Sequence, residues 1–255
     1  MLRIAGLFFI LIGCSTLSLA QGSPSLLQAG IDAYNAYTLS DAQVAAYTRQ
    51  AVQEMDAKNP VAGPNDPYTQ RLNKIVARHH KVSGLPINYK VYKVTDVNAF
   101  ATADGSVRVL KGLMDIMTDD ELLAVMGHEI GHVINHDSRD AMKRALKRSA
   151  IRNVGASSSG IIGKLSRSQL GDAADYLVGA SFSRQQESEA DDYSYDFLKR
   201  NGYNVMALAT SFEKLAKLSG GNAGGKVATI MSSHPDSKAR AQRVRDRARQ
   251  DGLVR

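Results

Sequence analysis

Residues 121–137 read ELLAVMGHEIGHVINHD, an apolar stretch interrupted by His128, Glu129 and His132. These side chains are costly to bury unless something strong partners them. TDDE at 118–121 forms a capping box, Thr118 with Glu121, and so opens a helix through the stretch. On that helix His128 and His132 lie four apart on one face, where both imidazoles can ligate one metal ion. Glu129 stands beside them as a base for water, which is the H-E-x-x-H pattern of metallopeptidases. Two core histidines bonded to a buried glutamate are the plainer alternative, which leaves three polar groups on an apolar helix with no strong partner. Gly127 and Gly131 flank the motif and leave room for another backbone or a substrate.

Catalytic zinc takes a third protein ligand and keeps a position open for water. Ten residues after His128, where a metzincin carries its third histidine, this chain has Ser138. His136 lies about 12 Å along the helix from His128, too far to share an ion, and belongs to the surface or the surroundings of the site. The next candidates are Glu187, Glu189, Asp191 and Asp192 in SFSRQQESEADDYSYDFLKRNGY, 181–203. On a helix Glu187 and Asp191 share a face and Glu189 points about 200° away from Glu187. That face offers one carboxylate to a metal and a second to orient a ligating histidine. The alternative is an acidic, solvated first turn, which the helix dipole also favours.

Around these motifs the 255-residue chain has the composition of a soluble globular protein, 44% hydrophobic and 22% charged. It lacks tryptophan, which argues against an aromatic-lined sugar or base-stacking groove. Its start, MLRIAGLFFILIGCSTLSLAQG, is too short to span a bilayer comfortably and has the layout of a secretory signal over residues 1–20. LIGC at 11–14 matches a bacterial lipobox with Cys14 lipidated; SLA at 18–20 suits plain cleavage after Ala20. Cys14 is the chain's single cysteine, which favours lipidation, and Ser15 after it resembles lipoproteins of the outer membrane.

Residues 21–39 read as a tether. Ser40 and Gln43 cap a helix from 40, Pro67 opens another to about His80, and 87–94 alternate as a strand. NAFATADGSVRVL is a hairpin turning at Asp104-Gly105. The helix carrying the histidines continues, basic and amphipathic, to about Arg152. Helices follow near 167–179, 183–200 and 204–218, then the loop SGGNAGG and a basic C-terminal helix. The expected fold is one α+β domain over 40–255, mostly helical, with a small sheet or hairpin packed on the active-site helix.

VNAFATADGSVRVLKGLMDIMTDDELLAVMGHEIGH, FSRQQESEADDYSYDFL and SHPDSKAR, in that order, resemble the HtpX-like zinc metallopeptidases, kin to the CAAX prenyl proteases. The narrower likeness is to their soluble periplasmic lipoprotein members. The resemblance spans most of residues 85–245 and implies a zincin-like domain with one zinc per chain. It implies His128, His132 and Glu187 as ligands and Glu129 as general base. Asp191 and Arg240 are implied as neighbours that support the ligands. His234, in the family's later His-Pro motif, is implied as a removable fourth ligand that holds the enzyme latent. Asn98, Ala99 and Phe100 are implied along the substrate cleft, where an extended polypeptide adds to an edge strand.

The formal charge is +7, and the basic helices 139–152 and 238–250 read first as solvated faces. Contact with anionic lipid is the other expectation; the secretory signal argues against nucleic acid. Two functions follow. One is an endopeptidase of envelope quality control acting on unfolded or misassembled polypeptides, at the inner face of the outer membrane or free in the periplasm. The other is a chaperone-like envelope protein whose zinc is fully ligated and structural.

Overall fold

The computed structural model describes residues 38–152, 167–219 and 224–254, and among these the protein is mostly helical with a small sheet. The signal, Cys14, Ala20 and nearly all of the tether lie outside the described residues. No described helix is long and apolar enough to cross a membrane.

Helix α1 (Asp41–Lys58) begins at the Ser40–Gln43 capping box, with both reciprocal bonds made. Helix α2 (Pro67–Ile75) is capped by Asp66 and ends five residues before the expected His80. The difference is a two-stranded ribbon, β1 (Lys81–Val82) and β2 (Leu85–Pro86), turning through Ser83 and Gly84, both at positive φ. Serine-glycine is a turn signal and closes the ribbon, while the helix has already ended at its Val76 cap.

Strands β3 (Asn88–Tyr92), β4 (Ala99–Ala101) and β5 (Ser106–Leu110) form the main sheet in the order β3-β5-β4. β5 pairs parallel with β3 and antiparallel with β4. The β4–β5 turn is the expected Asp104-Gly105 pair. Gly105 sits at φ +84, and a Cβ there would lie 2.3 Å from the Pro86 carbonyl, so no other residue fits.

Alternation along the strands divides the core. Ala99, Val107 and Val109 face one hydrophobic cluster, and Tyr92, Phe100 and Leu110 face the other. Arg108 points to the second side, fully buried, with both carboxylate oxygens of Asp56 at 2.8 and 3.1 Å and the Asn88 carbonyl at 3.0 Å. A buried guanidinium is tolerated only with such pairing, and it pins α1 to the sheet.

On the first side lies α4 (Asp119–Ile134), preceded by the short α3 (Lys111–Ile116) and capped by Thr118 and Glu121 as expected. Every residue from Glu121 to Val133 is buried, so this helix has no solvent face. It runs between β4 and two later helices, α7 (Arg184–Arg200) and α8 (Met206–Ser219). It does not continue to Arg152. At His136 the chain turns through φ +67, and α5 (Asp137–Arg152) sets off anew. With α1 and α6 (Arg167–Val178), α5 builds the second layer. The chain closes with α9 (Gly224–Ser233), which starts at the last two residues of the expected SGGNAGG loop, and α10 (Ser237–Gln250).

The arginines of α10 are largely spoken for. Arg245 pairs with Glu213, Arg247 with Asp192 and Asp196, and Arg243 with Asp192. That helix carries a ladder of ion pairs to α7 and α8.

Candidate metal centre

α4 presents His128 and His132 toward α7, and the two helices touch backbone to backbone. A Cβ on Gly131 would lie 3.0 Å from the Cα and carbonyl of Ala190; one on Gly127 would lie 2.9 Å from the Ser194 hydroxyl. The room left by the glycines is therefore taken by α7. That approach carries Glu187, near the start of α7, to the histidines. The bend between α9 and α10 brings His234 in from the other side.

Four buried donors converge. His128 Nε2 lies 3.1 Å from His132 Nε2 and 3.2 Å from His234 Nδ1. Glu187 Oε1 lies 3.0 Å from His234 Nδ1 and 3.4 Å from His132 Nε2, and Glu187 Oε2 is 3.6 Å from His128 Nε2. All four donor atoms fall within 4.8 Å of one another. A tetrahedral ion with ligands at about 2.0–2.1 Å sets its donors roughly 3.3–3.4 Å apart, which is zinc's preference. Three imidazole nitrogens and one carboxylate oxygen at these separations fit zinc in size and in chemistry. Glu187 Oε2, also buried, meets the Arg240 guanidinium as an ion pair, which leaves Oε1 as the oxygen nearest His132 and His234.

Comparison with known proteins agrees with this geometry. Residues 65–248 match peptidase family M48. The chain is 48% identical over 245 residues to the metalloprotease LoiP of Escherichia coli (strain K12), covering 96% of this chain and 94% of that one. It is 46% identical over 222 residues to the metalloprotease YcaL of the same organism, covering 87% and 86%. To the beta-barrel assembly-enhancing protease of that strain it is 32% identical over 199 residues, 73% of this chain and 40% of that one. The chain belongs to peptidase family M48.

In this M48 peptidase the candidate ligands are held from behind. Asp191, one turn beyond Glu187 on α7, lies 3.0 Å from His128 Nδ1 and accepts from Arg240 Nε and Nη2 at 2.9 and 2.6 Å. Arg240 also meets Glu187 as an ion pair and lies 4.1 Å over the Phe212 ring. Glu189 is exposed and bonded to Gln185, off the ligand face.

Glu129 is buried beside the cluster, its Oε1 3.6 Å from His234 Nε2, and burial pushes its carboxyl up from the ordinary glutamate range. Burial and then the Arg240 charge hold His128 well below its ordinary value. For His132 burial opposes the charge, but the carboxylates of Asp137 and Glu187 outweigh it and draw the ring up to about 9. Glu187 is likewise opposed by burial, yet hydrogen bonds from His132 and His234 hold it well below the glutamate range. Occupation by a divalent cation would therefore displace a proton from His132.

Asn98 and Ala99 are buried, Ala99 on the α4 side of the sheet, and β4 is an edge strand in the three-stranded order. The ring of Phe100 turns away, packing 6.3 Å from Tyr92 in the second layer, so only its backbone belongs to the edge. His136 is exposed.

Two residues beside the cluster escaped sequence reading. Asp137 accepts from His132 Nδ1 at 2.9 Å, and Phe182 stacks on the His132 ring at 3.9 Å. Asp137 lies past a backbone turn that no periodicity reveals. Phe182 precedes the Ser183 cap, where an apolar residue signals a staple rather than a metal-site wall.

Proposed function

We propose that this peptidase is a zinc endopeptidase of the bacterial envelope that cleaves unfolded or misassembled polypeptides and restrains itself through His234. The observation that carries the reading is the buried convergence of His128, His132, Glu187 and His234 with Glu129 adjacent on the same helix. A zinc ion held by these ligands would supply the positive charge that activates water and stabilises a developing oxyanion.

Glu129 accepts the proton as water attacks the scissile carbonyl, then delivers it to the departing amine. Asp191 and Arg240 hold the His128 ring and the Glu187 carboxylate in place, so no reorganisation is required of them during the reaction. Substrate lies along β4 and pairs with its backbone, a mode that reads extended chain rather than a particular sequence. Asn98 and Ala99 line this edge; Phe100 contributes its main chain. His234, taking the fourth donor position and approaching Glu129, must withdraw before water and substrate enter.

The exported, lipid-anchored location at the outer membrane rests on the signal and Cys14, and the likeness to a protease named for beta-barrel assembly lends it support. The same fourth donor favours a second reading, a fully ligated structural zinc in a chaperone-like protein. Casein cleavage by zinc-loaded protein, compared with Glu129→Gln, separates them. The peptidase reading expects equal zinc in both forms and a loss on the order of 10³-fold in rate for Glu129→Gln. Equal rates would refute Glu129's role; no cleavage by either form, nor by His234→Ala, would leave the structural-zinc reading.

A further inference from the structure

Gln186, the residue before the candidate ligand Glu187, uses both ends of its side-chain amide. Its Oε1 accepts from the Ser183 backbone N–H at 3.0 Å, while the Gln186 backbone N–H donates to the Ser183 hydroxyl at 3.3 Å. These bonds form the capping box that starts α7. The other end, Nε2, crosses to α5 and donates to Asp137 Oδ1 at 2.6 Å. The second oxygen of Asp137 accepts from His132 Nδ1 at 2.9 Å. Asp137 is buried, and reaches His132 because His136 turns the chain sharply back at the end of α4.

We propose that Gln186 is a positioning residue that ties the start of the Glu187 helix to the orientation of His132, through Asp137. The inference rests on the reading that His132 and Glu187 hold the metal. A carboxylate accepting from Nδ1–H fixes the tautomer and leaves the Nε2 lone pair for the ion. Held by one bond, that carboxylate could swing and take the ring with it. Held at both oxygens, it fixes the ring plane. One amide thereby sets two ligands that sit on different helices and 55 residues apart in sequence (187 less 132).

The chemistry singles out glutamine. Glutamate closes a capping box equally well, since the box needs only an acceptor oxygen. It has no N–H left for Asp137 and would set two carboxylates against each other. Gln186→Glu therefore separates the helix cap from the link to His132.

The test measures zinc affinity of the full chain by competition with a chromophoric chelator, and thermal unfolding with and without excess EDTA. The forms compared are the unaltered protein, Gln186→Glu, Asp137→Asn and His132→Ala. Gln186→Glu is expected to keep the helix cap, to lose some stability in EDTA to the two facing carboxylates, and to bind zinc about 10–100-fold more weakly, with Asp137→Asn weakened alike. Zinc affinity within twofold of the unaltered protein in Gln186→Glu overturns the proposal, as does lower stability in EDTA with affinity unchanged, which would make Gln186 a cap alone. If Gln186→Glu fails to fold, Asp137→Asn decides, and undiminished affinity there overturns it equally. Failure of the underlying site is distinct: the unaltered protein would bind no zinc, or His132→Ala would bind it as tightly.

Discussion

Removing the Asp191 carboxylate should destabilise the protein by about 3 kcal/mol even with the metal stripped away. Asp191 is 1% exposed and is bonded to the Arg240 guanidinium through two nitrogens, at 2.9 and 2.6 Å. Deleting one member of a buried ion pair costs about 3–5 kcal/mol, because the other charge stays buried without its partner. Here the lower end applies, since Arg240 keeps its ion pair with Glu187 and its place over the Phe212 ring. About 3 kcal/mol is a factor of roughly 150 in the folding equilibrium, and about 6–12 °C in Tm for a domain of this size. Denaturant unfolding of Asp191→Ala in EDTA, followed by circular dichroism, measures it directly. The double variant Asp191→Ala with Arg240→Met provides the control. Taking both charges away removes the stranded guanidinium, so the pair should cost less than the sum of the two single changes. A loss below about 1 kcal/mol for Asp191→Ala, or strict additivity in the double variant, refutes the argument.

Three further outcomes follow from the same structure. His234→Ala should keep one zinc per chain on the three remaining ligands and cleave casein about tenfold faster or more, if the closed form dominates; unchanged or slower cleavage counts against self-restraint. Gly131→Ala should cost about 1–3 kcal/mol and weaken zinc binding, because the new methyl meets the α7 backbone at 3.0 Å and pushes Glu187 away, whereas Gly63→Ala, with open space around it, should do neither. Asp56 concerns acid stability: burial alone would raise its carboxyl, but hydrogen bonds from Arg108, Lys90 and Tyr92 bring it below the aspartate range. The folded state then binds fewer protons than the unfolded chain, so this stability is complete above the unfolded value of about 3.9 and drains away as pH falls through the lower folded value. Asp56→Asn should flatten the acid limb of a stability–pH curve, and an unaltered limb would remove Asp56 from the account.

The parts of this protein legible in its sequence are those that local chemistry dictates. The capping boxes at Ser40 and Thr118 and the Asp104-Gly105 turn satisfy backbone groups within a few residues, so each reads correctly without tertiary knowledge. The His128–His132 spacing and the shared face of Glu187 and Asp191 are likewise helical geometry. At the metal helix a single backbone conformation decided where reading went astray: positive φ at His136 ended a helix whose side-chain pattern would have run on. Histidine does not announce a left-handed residue as glycine does.

What could not be read locally is how the metal cluster is enforced. Sequence supplies four donors on three separate segments, but their 3.0–3.6 Å separations depend on how closely α4 and α7 approach. That distance is set by Gly127 and Gly131 against Ala190 and Ser194, positions that look like permissive spacing until the facing helix is known. The same approach aligns Asp191 with His128, and the turn at His136 aligns Asp137 with His132. Each histidine thus gains a carboxylate behind it by a different route, one from the neighbouring helix and one from its own chain after a reversal. Periodicity can propose the first, since Asp191 follows Glu187 by one helical turn. It cannot propose the second, because the reversal at His136 is what brings Asp137 under the ring.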